Sequence, residues 1–296
     1  MTDQTQTSPP APPEIGIVIP AYNESKGIRP VIERLQKALV GAPFTWELLI
    51  VDDGSSDDTS RIVKEMDVRV VRHDTNRGYG AALKTGLRTL ESEWFAIIDA
   101  DGTYPEEELI HIAEYREDHD MVIGARTGAS VHIPLVRRPA KAFMRKLASY
   151  VAGIPIPDLN SGLRIMRRTI VEKFVHLLPD GFSFTTTISL AMLTDGYRVK
   201  YVPIDYHHRK GKSKIRPIYD TLNFISLILR VAIYFRPFKF FVPVAIVLMM
   251  AGVGVLFGSW YWAGKIMDST STILVMTGVQ VFITGLIAEL IVRRSQ

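Results

Sequence analysis

Trp94-Phe-Ala-Ile-Ile-Asp-Ala-Asp101 decides how this chain is read: an apolar run that empties into two carboxylates one residue apart. A short, uninterrupted apolar run of this kind predicts a strand buried on both faces. Side chains at i and i+2 of an extended chain point the same way, so Asp99 and Asp101 are expected to share one face. Two like charges so placed repel, and a bound divalent cation with oxygen ligands relieves that repulsion. For the pair taken alone, an Asx turn opening the helix from Pro105 is the competing reading.

The pattern recurs toward the N-terminus. Ile15-Gly-Ile-Val-Ile19 leads into Pro20-Ala-Tyr-Asn-Glu24 and then a helical periodicity through Ile28, Val31, Ile32, Leu35 and Leu39. Glu47-Leu-Leu-Ile-Val51 leads into Asp52-Asp-Gly-Ser-Ser-Asp-Asp58 and a short helix over 59–66, although the capping residues of that loop also explain it as a turn and helix start. Val68-Arg-Val-Val71 predicts a third strand, 76–80 its loop and 81–90 a helix. Strands alternating with helices predict an α/β sandwich with a mostly parallel central sheet, whose ligands bind at the carboxyl ends of the strands. The clusters after Ile19, Val51 and Ile98 are therefore expected on one rim. Tyr22 suits stacking on a nucleobase and Glu24 suits accepting its N–H groups. The Gly78-Tyr-Gly80 spacing lacks a third glycine and follows the third strand, which excludes the dinucleotide fingerprint.

Toward the C-terminus the charge changes sign. Met121-Val-Ile-Gly124 predicts a further strand, followed by Arg126, Arg137, Arg138, Lys141, Arg145 and Lys146. A second basic cluster runs from Arg198 and Lys200 through Arg209, Lys210, Lys212, Lys214 and Arg216. A group that is already an anion needs cationic groups to hold it, which arginine forks supply. The Lys residues of the second cluster suit a bilayer surface or a lid, and His207 and His208 suit a structural or interfacial role.

The 296 residues carry 35 Lys+Arg against 31 Asp+Glu, for a formal charge of +4, and no Cys, which excludes a disulfide scaffold, a thiolate metal site and a Cys nucleophile. The chain is 47% hydrophobic, an excess concentrated after Phe240. Residues 240–262 and 272–292 each have the length of a membrane span. Arg230, Arg236 and Lys239 precede the pair and Arg293 and Arg294 follow it, so the positive-inside rule predicts a multi-pass hairpin in the cell membrane, with the N-terminal domain cytoplasmic. Trp260, Tyr261 and Trp262 would form the belt at the far interface. Residues 218–235 suit a helix lying in the membrane surface, with a core helix as the alternative. The expected domains are a disordered tail over 1–14 with no signal peptide, a catalytic domain over 15–215, an interfacial region over 216–238 and a transmembrane hairpin over 239–296.

The succession Pro20-Ala-Tyr-Asn-Glu24, Val51-Asp-Asp-Gly-Ser55, Asp99-Ala-Asp101 and Gly124-Ala-Arg126 resembles that of family 2 glycosyltransferases of GT-A fold. Ser161-Gly-Leu-Arg164 and the segment 209–214 narrow the resemblance to the polyprenyl-phosphate branch that includes dolichol-phosphate mannose synthases. The resemblance implies a GT-A nucleotide-sugar-binding domain in a membrane-anchored inverting transferase. Its donor would be an NDP-sugar and its acceptor polyprenyl phosphate (dolichyl or undecaprenyl), with mannose favoured over UDP-glucose or UDP-N-acetylglucosamine chemistry. It implies nucleotide contacts from Pro20, Tyr22, Glu24, Asp52 and Arg77, and Mg²⁺ or Mn²⁺ and diphosphate handled by Asp99 and Asp101. The acceptor-phosphate site would combine Arg126, Arg138 or its neighbour Arg137, and Arg209. Two positions depart from the pattern. Thr103 stands where those synthases carry Gln, and the Ser expected four residues after the acceptor-site arginine is Lys141 or Ala142. No nucleic-acid partner is expected, a homo-oligomer is left open, and a non-catalytic nucleotide-sensing membrane subunit is the rival from another class.

Overall fold

Every residue of β1 (Ile15–Ala21) is buried, which is why its sequence is an apolar run and not an alternation. The computed structural model describes residues 11–127, 138–206, 217–264 and 268–295, the side chains of 138–141, 217–224, 263, 268, 293 and 295 excepted. Two compact units emerge: Met1–Pro139 with Ile156–Ile215, and Ala140–Pro155 with Arg216–Gln296.

In the first unit β1 is followed by α1 (Ile28–Leu39), β2 (Trp46–Asp52), α2 (Thr59–Lys64), β3 (Arg69–Arg72), α3 (Tyr79–Thr89), β4 (Trp94–Ile97), α4 (Glu108–Ala113) and β5 (Met121–Ala125). The buried face of α1 is Ile28, Val31, Ile32, Leu35 and Leu39, the periodic set read from the sequence. α2 ends two residues earlier than the 59–66 expected, and α4 begins after a turn at 105–107 instead of at Pro105. After α5 (Arg138–Ala152), the unit resumes with β6 (Arg164–Arg167), α6 (Arg168–Phe174), α7 (Phe184–Thr194) and β7 (Val199–Pro203).

The seven strands form one sheet in the order β3-β2-β1-β4-β6-β5-β7. β6 pairs antiparallel with both β4 and β5, while the other pairings are parallel. The carboxyl ends of β1, β2, β4 and β5 therefore open on one rim, and the loop into β6 reaches that rim from the other direction. Arg198 and Lys200 stand at the amino end of β7, away from the rim. There Arg198 lies 3.8 Å from Asp120 and Lys200 sits 3.8 Å over the Tyr115 ring, so these two members of the second basic cluster are separated from the site.

α7 shows how a Thr-rich segment can be core. All eleven of its residues are buried. Thr187, Ser189 and Thr194 donate to the carbonyls of Ser183, Thr185 and Leu190 at 2.8, 2.8 and 2.6 Å, so the hydroxyls need no water.

The second unit contains α8 (Pro217–Phe235), α9 (Pro237–Ala263), α10 (Asp268–Ser295) and all but the first two residues of α5. Residues 237–262 and 269–292, with mean hydropathies of 2.6 and 2.0, are long and apolar enough to cross a membrane. α9 and α10 pack along a seam of small residues. Ser271 donates to the Gly252 carbonyl at 2.8 Å, and Gly278 and Gly285 abut Met249 and Phe241. α5 is tied to the start of α9 by two bonds: Tyr150 donates to the Lys239 carbonyl at 2.9 Å, and Lys239 Nζ donates to the Tyr150 carbonyl at 3.0 Å.

Candidate active site

The loops after β1 and β2 interlock. Asn23, at φ 55°, accepts from the Ser56 amide at 2.8 Å and gives its own amide to Ser55 Oγ at 3.0 Å. The Glu24 amide donates to Thr59 Oγ1 at 2.9 Å and the Ser25 amide to Asp57 at 3.2 Å. Two motifs far apart in sequence thus form one bonded edge, which holds Tyr22 exposed on the rim, 36% accessible, beyond the buried Pro20. Asp52 is fully buried. It accepts from the Ser55 amide at 3.0 Å and from Ser60 Oγ, with Arg72 3.4 Å away. Its carboxylate organises the turn before α2, whose N-cap is Asp58.

Asp53, which the sequence reading passed over, secures the third loop. It accepts from the amides of Arg77 at 2.9 Å and Gly78 at 2.8 Å and contacts His73 Nδ1 at 2.7 Å, while His73 Nε2 meets Thr85 Oγ1 at 2.9 Å. Arg77 itself is exposed. Gly78, at φ 105°, has no room for a side chain: a Cβ there would fall 2.4 Å from the Asp180 carbonyl oxygen. Close approach to the 179–181 backbone, and not a phosphate cradle, accounts for this glycine.

The paired aspartates emerge past β4 as expected and are braced differently. Tyr79 donates to Asp99 Oδ1 at 2.9 Å. Burial first, and then Asp99, push this phenol well above its ordinary value of 10.0, so it keeps its proton and remains a donor. On the other side lies Gly162, where a Cβ would fall 2.0 Å from Asp99 Oδ2. Asp101 Oδ1 accepts from the Thr103 hydroxyl at 2.6 Å and amide at 3.1 Å. Thr103, at the position that departs from the Gln pattern, thus forms the Asx turn of the competing reading. Arg34 clamps the following segment through a fork to the buried Glu106, both contacts at 2.8 Å.

Past β5, Arg126 is held in a bidentate fork by buried Asp158, at 2.6 and 2.8 Å, and lies 5.3 Å over the Tyr206 ring. Burial opposes charge at both groups, but the mutual hydrogen bonds prevail. Arg126 titrates above its ordinary value and Asp158 below its ordinary 3.8, so both are charged at neutral pH. Tyr206 packs edge-on against Tyr104 at 5.4 Å, and the Tyr104 hydroxyl accepts from the Gly162 amide at 2.7 Å. A continuous set of contacts thus runs from the Asp99 carboxylate through Gly162, Tyr104 and Tyr206 to Arg126. Arg164 lies beneath, fully buried, and donates to the carbonyls of Ser161 and Thr185 and to Ser189 Oγ at 3.1, 3.0 and 3.0 Å. Burial pulls its guanidinium below its usual value.

The structure therefore brings Pro20, Tyr22, Glu24, Asp52, Arg77, Asp99, Asp101 and Arg126 to one edge of one sheet. Arg137 and Arg209, and the side chain of Arg138, lie outside the described residues. Among the described residues, no group of three or more His, Cys, Asp or Glu side chains could hold a metal. Asp99 and Asp101 remain as a two-carboxylate oxygen donor set. Such a set fits Mg²⁺ or Mn²⁺, which complete their shells with water and phosphate oxygens instead of an all-protein cage. Asp53, Tyr79, Tyr104, Asp158 and Arg164 were missed as site residues. Asp53, Tyr79 and Arg164 lay inside motifs already quoted, at 51–55, 76–80 and 161–164, and Asp158 stood three residues before the last of these, but no role had been assigned to any of them.

The chain is similar to known proteins in sequence and in fold. The profile of Glycosyl transferase family 2 matches residues 16–175, and that of the GtrB C-terminal hairpin matches residues 236–293. A dolichyl-phosphate hexose transferase of Haloferax volcanii is 30% identical over 206 residues, covering 69% of this chain and 87% of its own. A dodecaprenyl-phosphate galacturonate synthase of Rhizobium johnstonii is 26% identical, covering 95% and 88%. Among solved structures, glucosyl-3-phosphoglycerate synthase from Mycobacterium tuberculosis, in complex with Mn²⁺, UDP-glucose and phosphoglyceric acid, superposes with a TM-score of 0.59. That likeness covers 74% of this chain and 80% of that one at 22% identity, and it shows a shared fold.

Proposed function

Because the chain belongs to glycosyl transferase family 2, we propose that it transfers a hexose from an NDP-sugar to the phosphate of a polyprenyl phosphate, with inversion, at a membrane surface. One observation carries the reading: the same rim holds two carboxylates past β4 and a charged guanidinium, fixed by Asp158, past β5. The relatives named for polyprenyl-phosphate sugar synthesis and the match to the GtrB hairpin support it.

In the proposed reaction a lipid-phosphate oxygen attacks the anomeric carbon. The new C–O bond forms as the bond to the nucleoside diphosphate breaks, and the electron pair leaves with the diphosphate. A single displacement inverts the centre and needs no base, because the acceptor is already an anion. Asp99 and Asp101 would hold Mg²⁺ or Mn²⁺, which when bound neutralises charge on the leaving diphosphate. Pro20, Tyr22, Glu24, Asp52 and Arg77 form the nucleotide edge, the two buried ones by shaping it. Arg126, preorganised by its fork to Asp158, would hold the acceptor phosphate, and the sequence resemblance assigns Arg138 and Arg209 to the same anion.

The membrane assignment follows the domains read from the sequence: catalytic over 15–215, interfacial over 216–238 and hairpin over 239–296, with both ends cytoplasmic. Exposed Trp260, Tyr261 and Trp262 suit the far interface. Phe143 and Tyr150, exposed seven residues apart on α5 beside Arg145 and Lys146, and exposed Ile154 just past its end, suit the near one.

The test is a panel of labelled donors, GDP-mannose first, then UDP-glucose, UDP-N-acetylglucosamine and UDP-galacturonate, given to purified membranes with polyprenyl phosphate. One donor is expected to label the lipid, and Asp101→Ala is expected to abolish labelling while the protein remains in the membrane. Nucleotide-sugar binding without transfer would overturn the enzyme reading in favour of a sensing subunit. Labelling of a glycolipid hydroxyl instead would overturn the acceptor.

A further inference from the structure

Among the described residues of the first unit, the large apolar side chains left exposed are Tyr22, Val40 and Phe182. Tyr22 stands on the nucleotide edge and Val40 closes α1. Phe182, 70% accessible, belongs to neither. A lone phenylalanine on a surface needs no explanation, but this one is fixed beside the paired aspartates. Its ring stacks on that of Tyr79, with centroids 5.7 Å apart and planes 18° from parallel, and Tyr79 is the donor to Asp99 Oδ1. The loop that carries Phe182 is pinned to the start of α3. There the Asp180 carbonyl accepts from the Ala81 amide at 3.0 Å, the Asp180 carboxylate accepts from Lys84 at 2.7 Å, and Gly80 abuts the Pro179 carbonyl with no room for a Cβ. Toward α7 the Gly181 carbonyl accepts from the Phe184 amide at 3.3 Å. Tyr79 covers part of the Phe182 ring, and the rest is presented to solvent from an anchored backbone.

We propose that Phe182 is the platform for the hexose of the donor, its exposed ring lying against the C–H bonds of one pyranose face. The inference rests on the glycosyl-transfer reading above and adds to it the group that holds the sugar. A hexose hangs from its diphosphate, so whatever holds it must stand near the Asp99–Asp101 pair, as Phe182 does through Tyr79. The lipid is the other apolar candidate. Its phosphate is assigned to Arg126, and the contacts toward Arg126 leave Asp99 through Gly162, which lies closest to Oδ2, whereas Tyr79 bonds Oδ1. The branch that carries Phe182 is therefore not the one that leads to Arg126. A phenyl ring has a negative face and no hydrogen-bonding atom, so it attracts the weakly positive C–H hydrogens of a pyranose without reading its hydroxyls. Water leaves both apolar surfaces as they meet, which favours the contact.

The test is calorimetric binding to the solubilised full chain, with Mn²⁺, of GDP-mannose, UDP-glucose and UDP-galacturonate, each against its parent GDP or UDP. With Phe182→Ala, affinity for the nucleotide sugar is expected to fall about threefold to tenfold, the magnitude of one aromatic contact, while affinity for the parent nucleotide holds. Phe182→Trp is expected to retain both. An equal fall for sugar and parent nucleotide means that Phe182 acts on the diphosphate through Tyr79 and Asp99, and it overturns the platform. Unchanged binding of both overturns it too. A raised KM for polyprenyl phosphate with donor binding unchanged moves the ring to the lipid and overturns the hexose assignment alone. A wild-type chain that binds none of the three nucleotide sugars overturns the donor reading and this inference with it.

Discussion

Arg164 in the first unit and Gln280 in the second face one physical problem and meet it differently. Arg164 has lost all contact with solvent, yet it reaches two main-chain carbonyls and a serine hydroxyl contributed by the segment before β6 and by α7. Gln280 sits on a helix whose carbonyls are engaged in its own ladder, opposite the seam that α10 makes with α9, and no acceptor of the described residues meets it. An α/β domain can bend irregular backbone around a buried polar group. A pair of long apolar helices, each with its carbonyls engaged in its own ladder, has no spare backbone to offer.

The largest expected effect tests the first half of that contrast. Arg164→Met removes the donors to the Ser161 and Thr185 carbonyls and to Ser189 Oγ and leaves the buried Ser161 carbonyl without a partner, which is expected to cost about 3–5 kcal/mol in denaturant unfolding of the solubilised protein. Unchanged stability would mean that the buried guanidinium is dispensable and that the contrast fails.

Asp158→Asn comes next. It leaves the Arg126 fork without its counter-charge and is expected to cost about 2–3 kcal/mol at neutral pH. Because the Asp158 pKa is lowered on folding, its contribution is fully present above the ordinary 3.8 and is lost as pH falls toward the lower folded value. The wild type should therefore lose more stability than the variant across that acid window, and parallel pH profiles would contradict the assignment.

Gly162→Ala separates positioning from folding. The added Cβ forces the Asp99 carboxylate to move, so kcat is expected to fall at least about tenfold, or ~1.4 kcal/mol of barrier, while the unfolding midpoint changes little. An equal loss of both would assign Gly162 to the core. The smallest effect is Gln280→Leu, which is expected to leave unfolding within about 0.5 kcal/mol of wild type. A substantial loss would show that Gln280 has an acceptor within its own chain.

Legibility differed along the sheet for a definite reason. β1, β2 and β4 are continuous apolar runs feeding polar loops, so strands, rim and the Asp99–Asp101 pair could be read directly. β6 reads Arg-Ile-Met-Arg and β7 reads Val-Lys-Tyr-Val-Pro. Charges interrupt both, because Arg164 is buried by partners distant in sequence and because Lys200 lies against an aromatic ring. α7 hides its core character behind hydroxyls that bond within the helix.

Asp52 and Asp53 show the same limit within a readable loop. Adjacent and chemically identical, one organises its own turn while the other reaches across to the amides of Arg77 and Gly78.

The sequence by itself determined the alternation of strands and helices, the acidic turns at strand ends, the basic second half and the two long apolar helices, since each follows from local spacing and composition. Only the tertiary structure decided that β6 runs against its neighbours, that Asp158 holds Arg126, and that Tyr79 and Gly162 flank Asp99. Those are contacts between residues tens of positions apart, and their geometry depends on which backbones close packing brings together.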